Sequence, residues 1–133
     1  MIKDIIIEKV EDVAIAVVPE EKDGGKEWSA YLVNLKPDAI DGVLISSKGY
    51  GNLEGRNVKT TTFRHFWEKI SGRDFVKIEL IVENLLAINN EFWVSFWHHG
   101  TLYDKRYIFV TESITEENLT EIPLIGMKGV MIK

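Results

Sequence analysis

The stretch Phe92-Trp93-Val94-Ser95-Phe96-Trp97-His98-His99-Gly100, followed at once by residues 103–110 (Tyr-Asp-Lys-Arg-Tyr-Ile-Phe-Val), decides the fold class of this chain. Phe92, Val94 and Phe96 fall on one side of an extended backbone, and Trp93, Ser95 and Trp97 fall on the other. A period of two marks a strand, and His99-Gly100 supplies the tight turn into the next one, so a hairpin is predicted. Both faces of this strand are apolar or aromatic. It is therefore either the centre of a sandwich or a strand whose second face meets a partner.

The same period extends outward. In residues 75–82, Val76, Ile78, Leu80 and Val82 alternate with Lys77 and Glu79. Val13-Ala14-Ile15-Ala16-Val17-Val18 is a continuous apolar run stopped by Pro19, the pattern of a strand buried on both faces. Residues 28–35 alternate up to the turn chemistry of Lys36-Pro37-Asp38. Residues 43–45 read as a short strand, 58–67 as a strand rich in threonine and aromatics, and 127–132 as a closing strand. The charged segment 20–27 and the glycine-rich segment 49–55 read as connections, and residues 85–90 as a single helical turn. Ser113 with Glu116 three residues on has capping-box spacing, which predicts one short helix near the C-terminus, ended before Pro123. The expected architecture is a single mainly β domain over residues 1–133. It is an antiparallel sandwich or partly closed barrel of about seven or eight strands.

Composition narrows the function classes. The 133 residues are 45% hydrophobic, enough for one core and too few for two ordinary domains. No run approaches the roughly 20 apolar residues of a spanning helix, so no membrane partner is expected. With no cysteine, disulfides, thiolate nucleophiles and cysteine-held metals are excluded. Residues 1–8 carry one lysine, an aspartate and only three consecutive apolar residues. That falls short of the roughly 7–15-residue core of a signal peptide, and a cytoplasmic protein is expected. A net charge of −5 gives no overall attraction to phosphate or anionic lipid.

Locally the balance reverses. Residues 48–77 hold seven basic groups, among them Lys48, Arg56, Lys59 and Arg64, against three acidic ones. Tyr50, Phe63, Phe66, Trp67 and Phe75 are interleaved with them. Phosphates take charge and bases take aromatic platforms, so this segment is a candidate surface for nucleic acid or a small anion. It is equally the pattern of strands with a wet basic face and an apolar core face. The spacing Gly49-x-Gly51-x-x-x-Gly55 is one residue too long for a dinucleotide fingerprint and opens no helix. Of the three histidines, His98 and His99 are strand neighbours that point to opposite faces, so they reach one metal only through a bend. They read as solvated turn residues and His65 as half-buried, with no metal or cofactor expected. A catalytic reading requires His65 or His98 to meet a carboxylate such as Glu79 in a pocket, and no two of Glu79, Glu83 and Glu91 stand out as a glycosidase pair.

Four stretches carry a family resemblance. They are Ile45-Ser46-Ser47-Lys48-Gly49-Tyr50, Leu86-Ala87-Ile88-Asn89-Asn90-Glu91-Phe92, Tyr103-Asp104-Lys105-Arg106-Tyr107 and Gly129-Val130-Met131-Ile132-Lys133. Together they resemble a family of short, uncharacterised bacterial proteins of about this length, some of which are labelled phenylalanyl-tRNA synthetase α-subunit. No stretch here matches the motif arginines of a synthetase catalytic domain. The resemblance thus implies a small bacterial domain with no transferable site residues.

The reading that follows is of a non-enzymatic binding or assembly domain. Its partner is a protein, a second copy included, met through Trp93 and Trp97. Two alternatives stand beside it: a nucleic-acid or anion binder acting through Lys48, Arg56, Lys59 and Arg64, and a small enzyme with a histidine–carboxylate pocket.

Overall fold

The structure, a computed structural model, describes residues 9–133. The N-terminal reading of residues 1–8 lies outside the described residues. Ten strands follow in order: β1 (Val13–Lys22), β2 (Gly25–Asn34), β3 (Ile40–Leu53), β4 (Arg56–Lys59), β5 (Phe63–Ile70), β6 (Asp74–Ile81), β7 (Asn89–His98), β8 (Thr101–Phe109), β9 (Thr120–Glu121) and β10 (Lys128–Ile132). They form two antiparallel sheets, neither of them closed. The first has the order β6-β2-β1-β10-β9, and the second runs β3-β7-β8 with β4 and β5 in succession on the free edge of β3. No helix of the described residues is long and apolar enough to cross a membrane.

One core lies between the sheets. Ile15, Val17 and Leu32 of the first meet Ile45, Phe92, Val94 and Phe96 of the second, all at 1% exposure or less. A second, smaller core covers the outer side of the first sheet, where Ile122, Ile125 and Met127 fold over Ala14, Ala16, Val18 and Val33. Residues 13–18 are thereby buried on both faces, as the uninterrupted apolar run implies.

Turn chemistry sets the hairpins. Asp23-Gly24, Glu54-Gly55 and His99-Gly100 each hold two positive φ angles and join directly paired strands, the twist that a two-residue hairpin needs. The connections expected at 20–27 and 49–55 therefore shrink to two residues each, and β3 grows to 14 residues. The strand expected at 58–67 is interrupted at 60–62, where Thr60 Oγ1 accepts from the Gly49 N–H at 2.7 Å.

The C-terminal helix is replaced by a three-residue 3-10 turn, Glu116–Asn118, without a side-chain cap. Ser113 cannot cap it, because its hydroxyl donates backward to the Val110 carbonyl at 2.6 Å. The helical turn between β6 and β7 is also 3-10, Glu83–Ala87.

The face assignment of β6 also changes. Opposite β6, Ala30 pairs with Glu79 and Tyr31 with Lys77, so Ile78 is an extra residue, a β-bulge. Up to Ile78 the expected face holds. Beyond it the parity reverses: Glu79 and Ile81 turn inward, while Leu80 (51% exposed) and Val82 (60%) face out.

Candidate functional site

The bulge delivers a carboxylate into the space between the sheets. Ser47 of β3 and His65 of β5 both project inward from the second sheet. Glu79 meets them from the first: its Oε1 accepts from Ser47 Oγ at 2.6 Å and pairs with His65 Nε2 at 2.8 Å. Against a carboxylate, which only accepts, His65 Nε2 is the donor. Neither group is sealed off, with side-chain exposures of 28% for His65 and 22% for Glu79.

Beside this cluster lies a cavity of about 350 Å³. Its walls are mostly apolar, from Phe63 of β5, Leu80 and Ile81 of β6, Val82, Leu85 of the 3-10 turn and Phe92 of β7. Glu79, Ser47, Lys48, Thr60 and Asn90 are the polar residues that line it, and the Lys48 ammonium is turned to Glu91 on the outer face at 3.7 Å. Asn90 is held in place by donating its amide to the Leu85 and Ile88 carbonyls at 2.8 and 3.1 Å. Both bonds to Glu79 fall on Oε1, and Oε2 takes none among the described residues. This is an apolar pocket with a few convergent polar groups, the usual form of a small-ligand site. It is not a nucleophile relay, because the Ser47 hydroxyl is directed at Glu79 and not at His65.

The structure separates the other residues singled out in the sequence. Trp93 and Trp97 lie on the outer face of the second sheet, 45% and 47% exposed, beside Leu44, Phe66 and Leu102. The Arg106 guanidinium stacks 4.6 Å from the Trp93 ring. Of the basic set, Lys48, Lys59 and Arg64 share this face by register, Lys59 opposite Tyr50 and Arg64 opposite Ser46. Arg56, opposite Leu53 beside the turn, does not. Glu91 offsets the positive charge there. Its carboxylate is 7% exposed and lies 3.7 Å from Lys48, 3.6 Å from Arg106 and 3.1 Å from the Tyr50 hydroxyl. Burial, then the bond to Glu91, pushes the Tyr50 phenol up. Glu83 begins the 3-10 turn and is exposed.

His98 and His99 are not free turn residues. His99 stands in the left-handed region at φ 49°, and this brings its ring round to stack on His98 with centroids 4.0 Å apart. The Asp38 carboxylate accepts from both, Oδ1 from His98 Nε2 at 3.0 Å and Oδ2 from His99 Nε2. These bonds hold the Asp38 carboxyl below its usual range. His65 is elsewhere, in the inter-sheet cluster. Asp38 reads in the sequence only as part of a turn, and alternation puts Glu79 on the face opposite Val76 and Ile78 until the bulge reverses it; neither position carries a local signal of a site.

Against known proteins, no family model matches the chain and no curated protein matches it.

Proposed function

We propose that this domain binds a small molecule in the inter-sheet cavity, with Glu79 as the polar anchor. The observation that carries this reading is the β6 bulge, which turns a carboxylate into an apolar cavity, where Ser47 and His65 orient it. Such inward turning of a charged residue costs desolvation unless bonds offset it, and the two bonds on Oε1 do so. The unused Oε2 suits a ligand with an ammonium or N–H group. Its apolar body would lie against Phe63, Ile81 and Phe92. The same groups are the histidine–carboxylate pair that an enzymatic reading requires, and binding is the role they fill with no further reactive group.

The test is a titration followed by amide chemical shifts, with 2-phenylethylammonium against its neutral counterpart 2-phenylethanol. The ammonium is expected to bind about tenfold tighter, the scale of one hydrogen bond to a charged group. Glu79→Gln is expected to erase that preference, and Phe63→Ala to weaken both ligands. Equal affinity for the two in the unaltered protein would refute the anchoring role of Glu79.

A second reading, docking of a protein partner or a second copy on the outer face of the second sheet, is favoured by the exposure of Trp93 and Trp97. The mixed charges Lys48, Arg64, Arg106, Glu91 and Asp104 around them fit a self-complementary contact. Sedimentation velocity on the Trp93→Ala/Trp97→Ala double variant is the check. A dimer that dissociates in the variant supports this reading, and an unaltered protein that stays monomeric at high concentration removes self-association.

A further inference from the structure

Away from the cavity, at the end of the second sheet, we propose that Asp38, His98 and His99 form a binding site for a divalent transition-metal ion of the zinc class. The donor atoms come from segments about 60 residues apart and lie within 4.8 Å of one another. Two imidazoles and one carboxylate are a donor set that suits Zn²⁺, Co²⁺ or Ni²⁺ and not the oxygen-only preference of Mg²⁺ or Ca²⁺. Three protein ligands leave a coordination position for water, and His99, 74% exposed, keeps the site open to solvent.

The surroundings are built to hold this geometry. Asp38 lies in the β2–β3 loop, and Asn34 clamps that loop from below. Asn34 is fully buried, and its Nδ2 donates to the carbonyls of Asp38 (3.1 Å), Ile70 (3.4 Å) and Ser71 (3.0 Å), while its Oδ1 accepts from the Lys36 N–H at 3.1 Å. Gly72 presses on the same loop from the side, so closely that a Cβ there would sit 2.3 Å from the Pro37 carbonyl oxygen. The carboxylate is thus carried by backbone that is fixed independently of the histidines.

A two-residue hairpin with both φ positive favours asparagine, aspartate or glycine at its first position, and this one uses histidine. That residue brings a second imidazole Nε2 to the carboxylate that His98 already faces. Bound there, an ion would tie the β2–β3 loop to the β7–β8 hairpin.

The experiment is calorimetric titration of Zn²⁺ into the full chain, free of any affinity tag, with Co²⁺ as a spectroscopic probe. The expected result is one equivalent bound, with visible Co²⁺ bands that indicate nitrogen and oxygen ligands. His99→Asn is the decisive variant, because asparagine suits the left-handed position and the hairpin keeps its turn. Affinity is expected to fall by about tenfold or more, on the scale of losing a ligand or its support, while the metal-free melting temperature is kept or raised. Asp38→Asn should lose affinity likewise, and His65→Asn should not. The proposal is overturned if Zn²⁺ fails to bind stoichiometrically, if His99→Asn binds as tightly as the unaltered protein, or if His65→Asn loses the ion.

Discussion

Tyr107→Phe removes one oxygen atom from the interior, and the geometry around it sets the cost. Tyr107 stands on β8 at 1% exposure, and its hydroxyl donates to the Val13 carbonyl on β1 at 2.6 Å. This bond crosses from one sheet to the other. Its acceptor depends on it, since β10 ends at Ile132 opposite Ile15 and so stops two residues short of Val13. Val13 is itself only 1% exposed, and water has no access to take the place of the hydroxyl. Burial drives the Tyr107 phenol strongly upward, so it stays protonated and donating across the ordinary pH range. A buried carbonyl left without a partner costs about 1–3 kcal/mol, and the void of one oxygen is too small to hold a water that would relieve it.

With a central value of about 2 kcal/mol and a urea m-value of about 1.5 kcal/mol/M, the midpoint should fall by about 1.3 M. The melting temperature should fall by about 6–10 °C. Urea unfolding followed by tryptophan fluorescence is the assay. Tyr103→Phe is the control, because Tyr103 is only partly buried and its hydroxyl bonds to none of the described residues. The control should stay within about 0.5 kcal/mol of the unaltered protein. If the two variants unfold at the same urea concentration, the Val13 carbonyl does not rely on Tyr107 and the reasoning fails.

Two further outcomes are expected. Burial, followed by the bond to Glu20, pushes the Tyr31 phenol to about 12, and Tyr50 and Tyr107 are shifted in the same direction. A raised value means that the folded chain keeps a proton that the unfolded chain releases above pH of about 10. Stability should therefore be fully present below pH 10 or so and lost as pH rises toward about 12. Tyr31→Phe should flatten part of that slope in urea titrations, and unchanged stability through this window would contradict it. Gly72→Ala should displace the loop that carries Asp38, since its Cβ would meet the Pro37 and Asp38 backbone at 2.3–2.6 Å. A lower melting temperature and changed amide shifts at Asp38 and His98 are expected, and a variant with shifts like those of the unaltered protein would show that the loop has slack.

What the sequence determined by itself is local. Alternation in Phe92-Trp93-Val94-Ser95-Phe96-Trp97 and the dipeptide His99-Gly100 predict a hairpin that the structure contains, and the run at residues 13–18 predicts a strand covered on both faces. These follow from neighbours one to six positions apart, where side-chain direction and turn sterics act without help from the rest of the chain. The helix expected from Ser113 failed for a related reason: capping-box spacing offers a hydroxyl, and here the preceding turn took it.

The candidate sites belong to the tertiary structure. Glu79 alternates with Ile78 and Leu80 as a solvent residue would, and only pairing with β2 creates the bulge that turns it toward Ser47 and His65. Asp38 reads as part of a turn, and it reaches His98 and His99 because β3 and β7 lie side by side. The basic residues of 48–77 read as a positive surface until Glu91, from a distant strand, is placed beside Lys48 and Arg106. Register and strand order are set by long-range pairing, and a shift of one residue reverses which side chains face the core. Residue types and alternation were therefore legible in the sequence, while the meeting of Glu79 with His65, and of Asp38 with His98 and His99, was decided by which strands pair.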